Sequence, residues 1–301
     1  MLLMSRKKQD KLLEDLVDIT KKRSQWRDVW HRLLRNRLGM VGLCIVVLLV
    51  LMIVFADVVA RHDYSFQNFG SRFEFPSREH IMGTDQFGRD LFARLLHGGR
   101  ISLLVAVLAV AISGSIGIFL GSIAGYFGGK LDVLITRFLD ILMAVPNLLF
   151  AVAISMTLGS GPVNTALAIA FAGAPSTMRI MRATVLAIVG SDFVEAARAT
   201  GSRPMRILLK HVLPNSIAPL IVNLTLQIGT NIMAITGLSF IGLGVHPPTP
   251  EWGSLLAAAR PFIRDHWPGV LFPSLFIMLT VFGFNLFGDG LRDSLDPRLK
   301  D

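Results

Sequence analysis

Seven histidines, one cysteine and a serine in a small-residue segment are the residues of this chain best suited to act as ligands or nucleophiles. The histidines (His31, His62, His80, His97, His211, His246 and His266) include no H-E-x-x-H and no close pair, so spacing predicts no metal site. Cys44 is alone inside an apolar run, which leaves no disulfide framework and no cysteine metal site within the chain and makes it a packing residue. Gly237-Leu-Ser239 offers a hydroxyl of the kind an intramembrane hydrolase uses, but Phe240 stands where such a motif needs glycine; a small-residue helix end accounts for it better. No G-x-x-x-x-G-K-[ST] occurs, so the chain has no phosphate loop for ATP. The expectation is a protein that is not an enzyme, with no catalytic, cofactor-binding or metal residues.

Asp192 to Pro214 is the other stretch that stands apart. Its first nineteen residues carry Asp192, Glu195, Arg198, Arg203, Arg206 and Lys210 between two hydrophobic segments. At ~3 kcal/mol per charge at a bilayer centre, threading them would cost roughly 18 kcal/mol, so the stretch lies outside the membrane. It reads as two short helices. Asp192 is placed to cap the first, with Glu195 completing a capping box. Gly201 ends that helix, because it can take a left-handed backbone. Pro204 suits the first turn of the second helix, and Pro214 limits how far that helix runs unbroken. Met205, Leu208, Leu209 and Val212 form an apolar stripe, and Phe193, Ala196, Ala197 and Thr200 a smaller one upstream. A helical hairpin lying in the lipid interface would show the same spacing.

Glu195-Ala196-Ala197, Gly201 after three residues and Leu213-Pro214 after eleven more resemble the EAA loop of permease subunits in bacterial ABC importers. His211, where the general pattern has Ile, is similar to the peptide and nickel branch. Gly83-Thr-Asp85 with Gly88-Arg-Asp90, the run Gly244 to Gly253 and the run Asn285 to Pro297 resemble dipeptide and oligopeptide permeases, so the resemblance covers roughly residues 80 to 298. It implies a type I ABC importer permease fold. It also implies coupling through Asp192, Glu195, Ala196, Ala197, Gly201, Met205, Leu208, Leu209 and Pro214 to two ABC ATPase subunits or domains, which use the ATP. An extracytoplasmic substrate-binding protein is the implied donor, with peptides as the implied substrate and nickel or another small solute as the alternative.

The elements that must hold this loop follow from composition. With 301 residues, 52% hydrophobic and 17% charged, the chain is an all-α polytopic membrane protein, since spanning backbone must satisfy its own hydrogen bonds. Six spans are expected: Leu38 to about Ala60, Ile101 to Ala124, Leu134 to Leu158, Val163 to Arg182, Ser216 to Leu238 and Gly269 to Gly288. The corresponding divisions are a cytoplasmic amphipathic tail (1–37), the first span (38–60), an extracytoplasmic loop (61–100), a five-helix core (101–290) containing the coupling loop (191–214), and a cytoplasmic tail (291–301). In the first tail, Leu12, Leu13, Leu16 and Val17 suggest one amphipathic helix, and Trp26, Trp30, Leu33 and Leu34 another. The net charge of +9 does not point to nucleic acid. Of 30 Lys and Arg, 22 fall on the amino-terminal side of the six-span arrangement and 8 on the other, which puts both termini in the cytoplasm; the membrane that the resemblance implies is a bacterial or archaeal plasma (inner) membrane. One coupling loop and no internal duplication imply a second, homologous permease subunit and a heterodimeric pore.

Finer features complete the reading. Gly114, Gly117, Gly121 and Gly125 form a small-residue stripe for close helix packing. Leu91 to His97 reads as a capped helix stopped by Gly98-Gly99. Arg137 and Asp140 are spaced to pair, and Pro146 to kink the third span. Asn223, Gln227 and Asn231, with Asn215 before them, recur every four residues or multiples of four and share one helix face. Amides in lipid face the bundle interior, where they bond between helices or line a translocation path; both remain open. A proton- or sodium-driven transporter is disfavoured, because the charges sit at span edges rather than mid-membrane.

Overall fold

Chain entry is set by Asn36, whose side chain accepts from the Gly39 amide at 3.0 Å and so caps helix α2 (Arg37–Val54) just after α1 (Gln25–Arg35). The computed structural model describes residues 25–295, so Leu12, Leu13, Leu16 and Val17 lie outside the described residues. Beyond a break at Phe55 and a single turn, Ala56–Val59, residues 61–90 form a loop. The Asp85 carboxylate accepts from the Phe87 and Arg89 amides and from Arg89 Nε at 2.7 Å, folding this loop back on itself. Asp90 accepts from the Ala93 amide at 2.7 Å and starts α3 (Leu91–Phe127).

Helix α3 runs for 37 residues, about 55 Å at 1.5 Å per residue and well beyond the ~30 Å hydrocarbon core. The expected stop at Gly98-Gly99 is therefore incorrect, and the loop closes at residue 90 rather than 100. These glycines serve proximity instead. A Cβ on Gly99 would sit 2.8 Å from the Trp252 ring, and one on Gly98 would sit 3.3 Å from the Glu251 amide.

Helices α4 (Gly129–Met143) and α5 (Asn147–Leu158) take the place of the kinked third span, meeting at 87°. Pro146 breaks rather than kinks, because it lacks an N–H and also biases Val145 away from helical backbone. Helix α6 (Pro162–Val189) extends two turns past the expected Arg182. The short helices α7 (Asp192–Ala199) and α8 (Pro204–Ile207) follow, then a π-helical turn, Leu208–Val212, and α9 (Leu213–Phe240). Helix α10 (Trp252–Ala259) and α11 (Pro268–Leu295) complete the described chain. The carboxyl tail expected from 291 is thus helical to Leu295.

Among the described residues the protein is helical, with one isolated β-bridge between Thr84 and Asp90. Four helical stretches are long and apolar enough to cross a membrane: Arg37–Val54, Leu91–Phe127, Pro204–Phe240 and Pro268–Leu295. The bent α4–α5 pair reaches the same standard when taken together. Helix α6 is richer in Ala, Gly and Thr and bears Arg179 and Arg182; it packs most extensively against α3 and also touches α5 and α9.

Three of the four glycines in the stripe make the α3–α6 contact, while Gly114 faces Leu224 of α9. Cβ atoms added at Gly117, Gly121 and Gly125 would come within 2.6 to 2.9 Å of Thr177, Met178 and Arg182 on α6. A second close pairing went unread in the sequence: Gly39 and Gly42 of α2 lie against Gly290 and Phe287 of α11. Between α4 and α6, Asp132 accepts from Arg182 Nη2 at 2.6 Å and Asp140 from Arg179 Nη2 at 2.9 Å. The expected Arg137–Asp140 pair is absent because Asp140 turns to the neighbouring helix.

Candidate coupling loop and translocation path

The segment between α6 and α9 has two faces. Its inner face buries Val194, Ile207, Leu208 and Val212 in one cluster with Met181 and Val185 of α6 and Leu220 of α9. Arg198 lies over the Tyr126 ring at 5.9 Å, tying α7 to the end of α3. The outer face leaves Phe193, Met205 and Leu209 exposed at 46%, 51% and 55%, with Asp192, Glu195 and Ala196 also exposed. Both apolar stripes read from spacing therefore divide. Leu208 and Val212 turn inward with Ile207, while Met205 and Leu209 turn outward; upstream, Val194 is the buried residue and Ala197 is half-buried.

Local backbone chemistry explains the turn. Gly201 has φ +76°, its amide donates to Arg198 O at 2.9 Å, and the Ser202 amide donates to Ala197 O at 3.2 Å. These two bonds are the glycine-ended helix stop expected from the sequence. Pro204 occupies the first turn of α8 as expected. The capping box is not formed. Ser191, not Asp192, is the cap residue, and its hydroxyl donates to Ile188 O at 2.7 Å to finish α6. Asp192 and Glu195 instead lie in the first turn of α7, where carboxylates interact with the helix dipole for ~0.3–1 kcal/mol each. Pro214 does not end the helix. The π turn at Leu208–Val212 widens the backbone ahead of the proline, so α8 and α9 run as one 37-residue rod from Pro204 to Phe240.

The amide face of α9 lies toward α6 and α11. Gln227 Nε2 donates to Thr177 Oγ1 of α6 at 2.9 Å and to Asn223 Oδ1 at 3.0 Å. Asn223 also lines an open cleft of about 420 Å³ with Val222, Leu226, Ile180 and Arg292. Asn231 lines another, of about 390 Å³, with Asn147, Gly173 and Gly237. Asn215 is exposed, and its Nδ2 donates to His211 O at 2.6 Å. Interhelical bonding and cavity lining thus divide among the amides.

Glu251 is a residue that spacing did not single out. Fully buried, it caps α10 by accepting from the Gly253 and Ser254 amides at 2.8 and 2.9 Å and from Ser102 Oγ of α3 at 3.0 Å. Burial pushes its carboxyl up, against the opposing pull of these donors.

Residues 117–301 match the family described as binding-protein-dependent transport system inner membrane component, and residues 24–76 match the N-terminal TM domain of oligopeptide transport permease C. The chain belongs to this family of transport permeases. The permease is 44% identical over 277 residues to a dipeptide transport system permease of Alkalihalophilus pseudofirmus, covering 92% of this chain and 91% of the relative. It is 43% identical to a di/tripeptide transport permease of Pseudomonas aeruginosa, covering 92% and 94%. A glutathione transport permease of Escherichia coli is 41% identical, covering 95% and 94%. Two crystal forms of the inward-facing MetNI methionine ABC transporter share the fold, with TM-score 0.55 and 18% identity over 67% of this chain; coverage of those chains is 97% and 96%. The permease is a multi-pass membrane transport component and not an enzyme.

Proposed function

We propose that this permease forms half of the pathway of an ATP-driven peptide importer, with a homologous permease subunit as the other half and Asp192–Pro214 as the contact to two ATPase subunits. The exposed apolar face of the loop, Phe193, Met205 and Leu209, carries the reading. Free-standing apolar side chains on a charged, membrane-excluded hairpin suit a helix-in-groove contact with a protein partner. The inner face supplies the linkage, since Val194, Ile207 and Leu208 pack on α6 and α9. Movement of the hairpin would be passed to the helices joined by the Thr177–Gln227 bond.

The six spans are α2, α3, the bent α4–α5 pair, α6, α9 and α11, with both termini and the hairpin in the cytoplasm. In a Cys44→Ser background, a cysteine at Gln67 should react with an impermeant thiol reagent from outside intact cells, and one at Arg203 should not. The reverse pattern overturns the topology. Peptides are favoured over nickel or another small solute because the curated relatives are dipeptide, di/tripeptide and glutathione permeases. Binding measurements on the cognate extracytoplasmic binding protein, with di- and tripeptides against nickel, test this choice.

For the path itself, Gln227→Leu should lower thermal stability by ~0.6–2 kcal/mol, because it leaves Thr177 and Asn223 without their shared donor. Asn231→Leu should leave stability unchanged and lower peptide uptake. Unchanged uptake in both variants removes the amides from the path.

A further inference from the structure

Histidines far apart in sequence come together at the base of the loop between α2 and α3. His62 and His80 have ring centroids 4.7 Å apart, and His80 Nδ1 lies 2.8 Å from Asp90 Oδ2. One ligand-type atom from each of the three residues lies within 4.8 Å of the others. We propose that His62, His80 and Asp90 form a binding site for a divalent zinc-type ion, with water completing the coordination.

Two imidazoles and a carboxylate suit zinc, which takes nitrogen at about 2.0–2.1 Å and carboxylate oxygen at about 2.0–2.2 Å. Tetrahedral ligands then stand about 3.3 Å apart, so the His80–Asp90 pair opens by about half an ångström, and a distance at the 4.8 Å limit closes by about 1.5 Å through side-chain rotation. Two of the three ligands already have orienting contacts. Asp90 Oδ1 is held by the Ala93 amide at 2.7 Å, and His80 is 9% exposed. The His62 Nε2 is held 3.0 Å from the Glu79 carbonyl, which leaves its other ring nitrogen with a lone pair. Ligation through His80 Nδ1 places the ring proton on Nε2, a change of tautomer with no redox step. The three ligands lie just past the first span, within the loop and at the cap of α3, so the ion would pin the loop to both helices.

The test uses the assembled transporter stripped with chelator and titrated with Zn2+ against a chromophoric zinc indicator. Wild type should bind one more ion per permease than His62→Gln or His80→Gln, or bind it at least tenfold more tightly. His246→Gln, exposed and outside the cluster, should match wild type. Zn2+ should raise the melting temperature of wild type more than that of His62→Gln, because a ligand stabilises only the state that binds it. His62 makes one hydrogen bond at a half-buried position, so His62→Gln remains decisive if His80→Gln does not fold. Equal zinc binding and equal thermal shift in wild type and His62→Gln overturn the proposal.

Discussion

Replacing Gly201 with valine is expected to reduce substrate-stimulated ATP hydrolysis by the assembled transporter at least tenfold while leaving the permease in the membrane. At φ +76° a β-branched residue carries ~1–3 kcal/mol of backbone strain. That strain is relieved by giving up the Gly201–Arg198 and Ser202–Ala197 hydrogen bonds that fix α7 against α8. Nothing lies within 4 Å of a Cβ at this position, so the effect is conformational and not a clash. Gly201→Asn should therefore retain most coupling, since asparagine tolerates the left-handed region. Ala196→Arg complements it by placing bulk and charge on an exposed site of α7 without touching the inner cluster. Ala197, half-buried against that cluster, would confound the test. Co-purification of ATPase subunits and stimulated ATPase activity check both variants; normal values in Gly201→Val and Ala196→Arg together would remove the hairpin from coupling.

The second large effect belongs to the bundle. Gly121→Val should abolish accumulation of folded permease, because its Cβ would lie 2.6 Å from the Met178 carbonyl oxygen and 2.8 Å from Met181 Cβ. Backbone cannot swing aside as a side chain can, so α3 and α6 must separate along their main contact. Gly237→Ala in α9 is the comparison, with nothing within 4 Å of the added methyl and a helix propensity gain of ~1 kcal/mol. It should accumulate normally. Expression and thermal unfolding in detergent report both, and equal stability of the two variants would show that the glycine stripe does not set helix spacing.

Much of this was legible because a few residues act locally. Asp90 caps its helix from its own side chain, Gly201 needs no neighbour to adopt positive φ, and a glycine every three or four residues marks one helix face. What stayed hidden depends on partners distant in the chain. The capping box failed because the helix begins at Asp192 itself, which leaves Ser191 as the cap residue with its hydroxyl bonded to Ile188 of the preceding helix. Asp140 chose Arg179 over Arg137 once α6 lay alongside. Gly98-Gly99 looked like a stop because its companions, Glu251 and Trp252, lie about 150 residues away. Pro214 was absorbed by a π turn, whose widening no spacing rule announces. His62 and His80 are separated by 18 positions, and only the folded loop brings them into contact.

The hairpin's outer face can be interrogated directly with a photoreactive amino acid at Met205, which is 51% exposed, and a second one at Gln67 in the loop between α2 and α3. In the assembled transporter, illumination should join Met205 to an ATPase subunit and leave Gln67 unlinked to it. Crosslinking of Met205 to lipid alone, with none to the ATPase, would contradict the account.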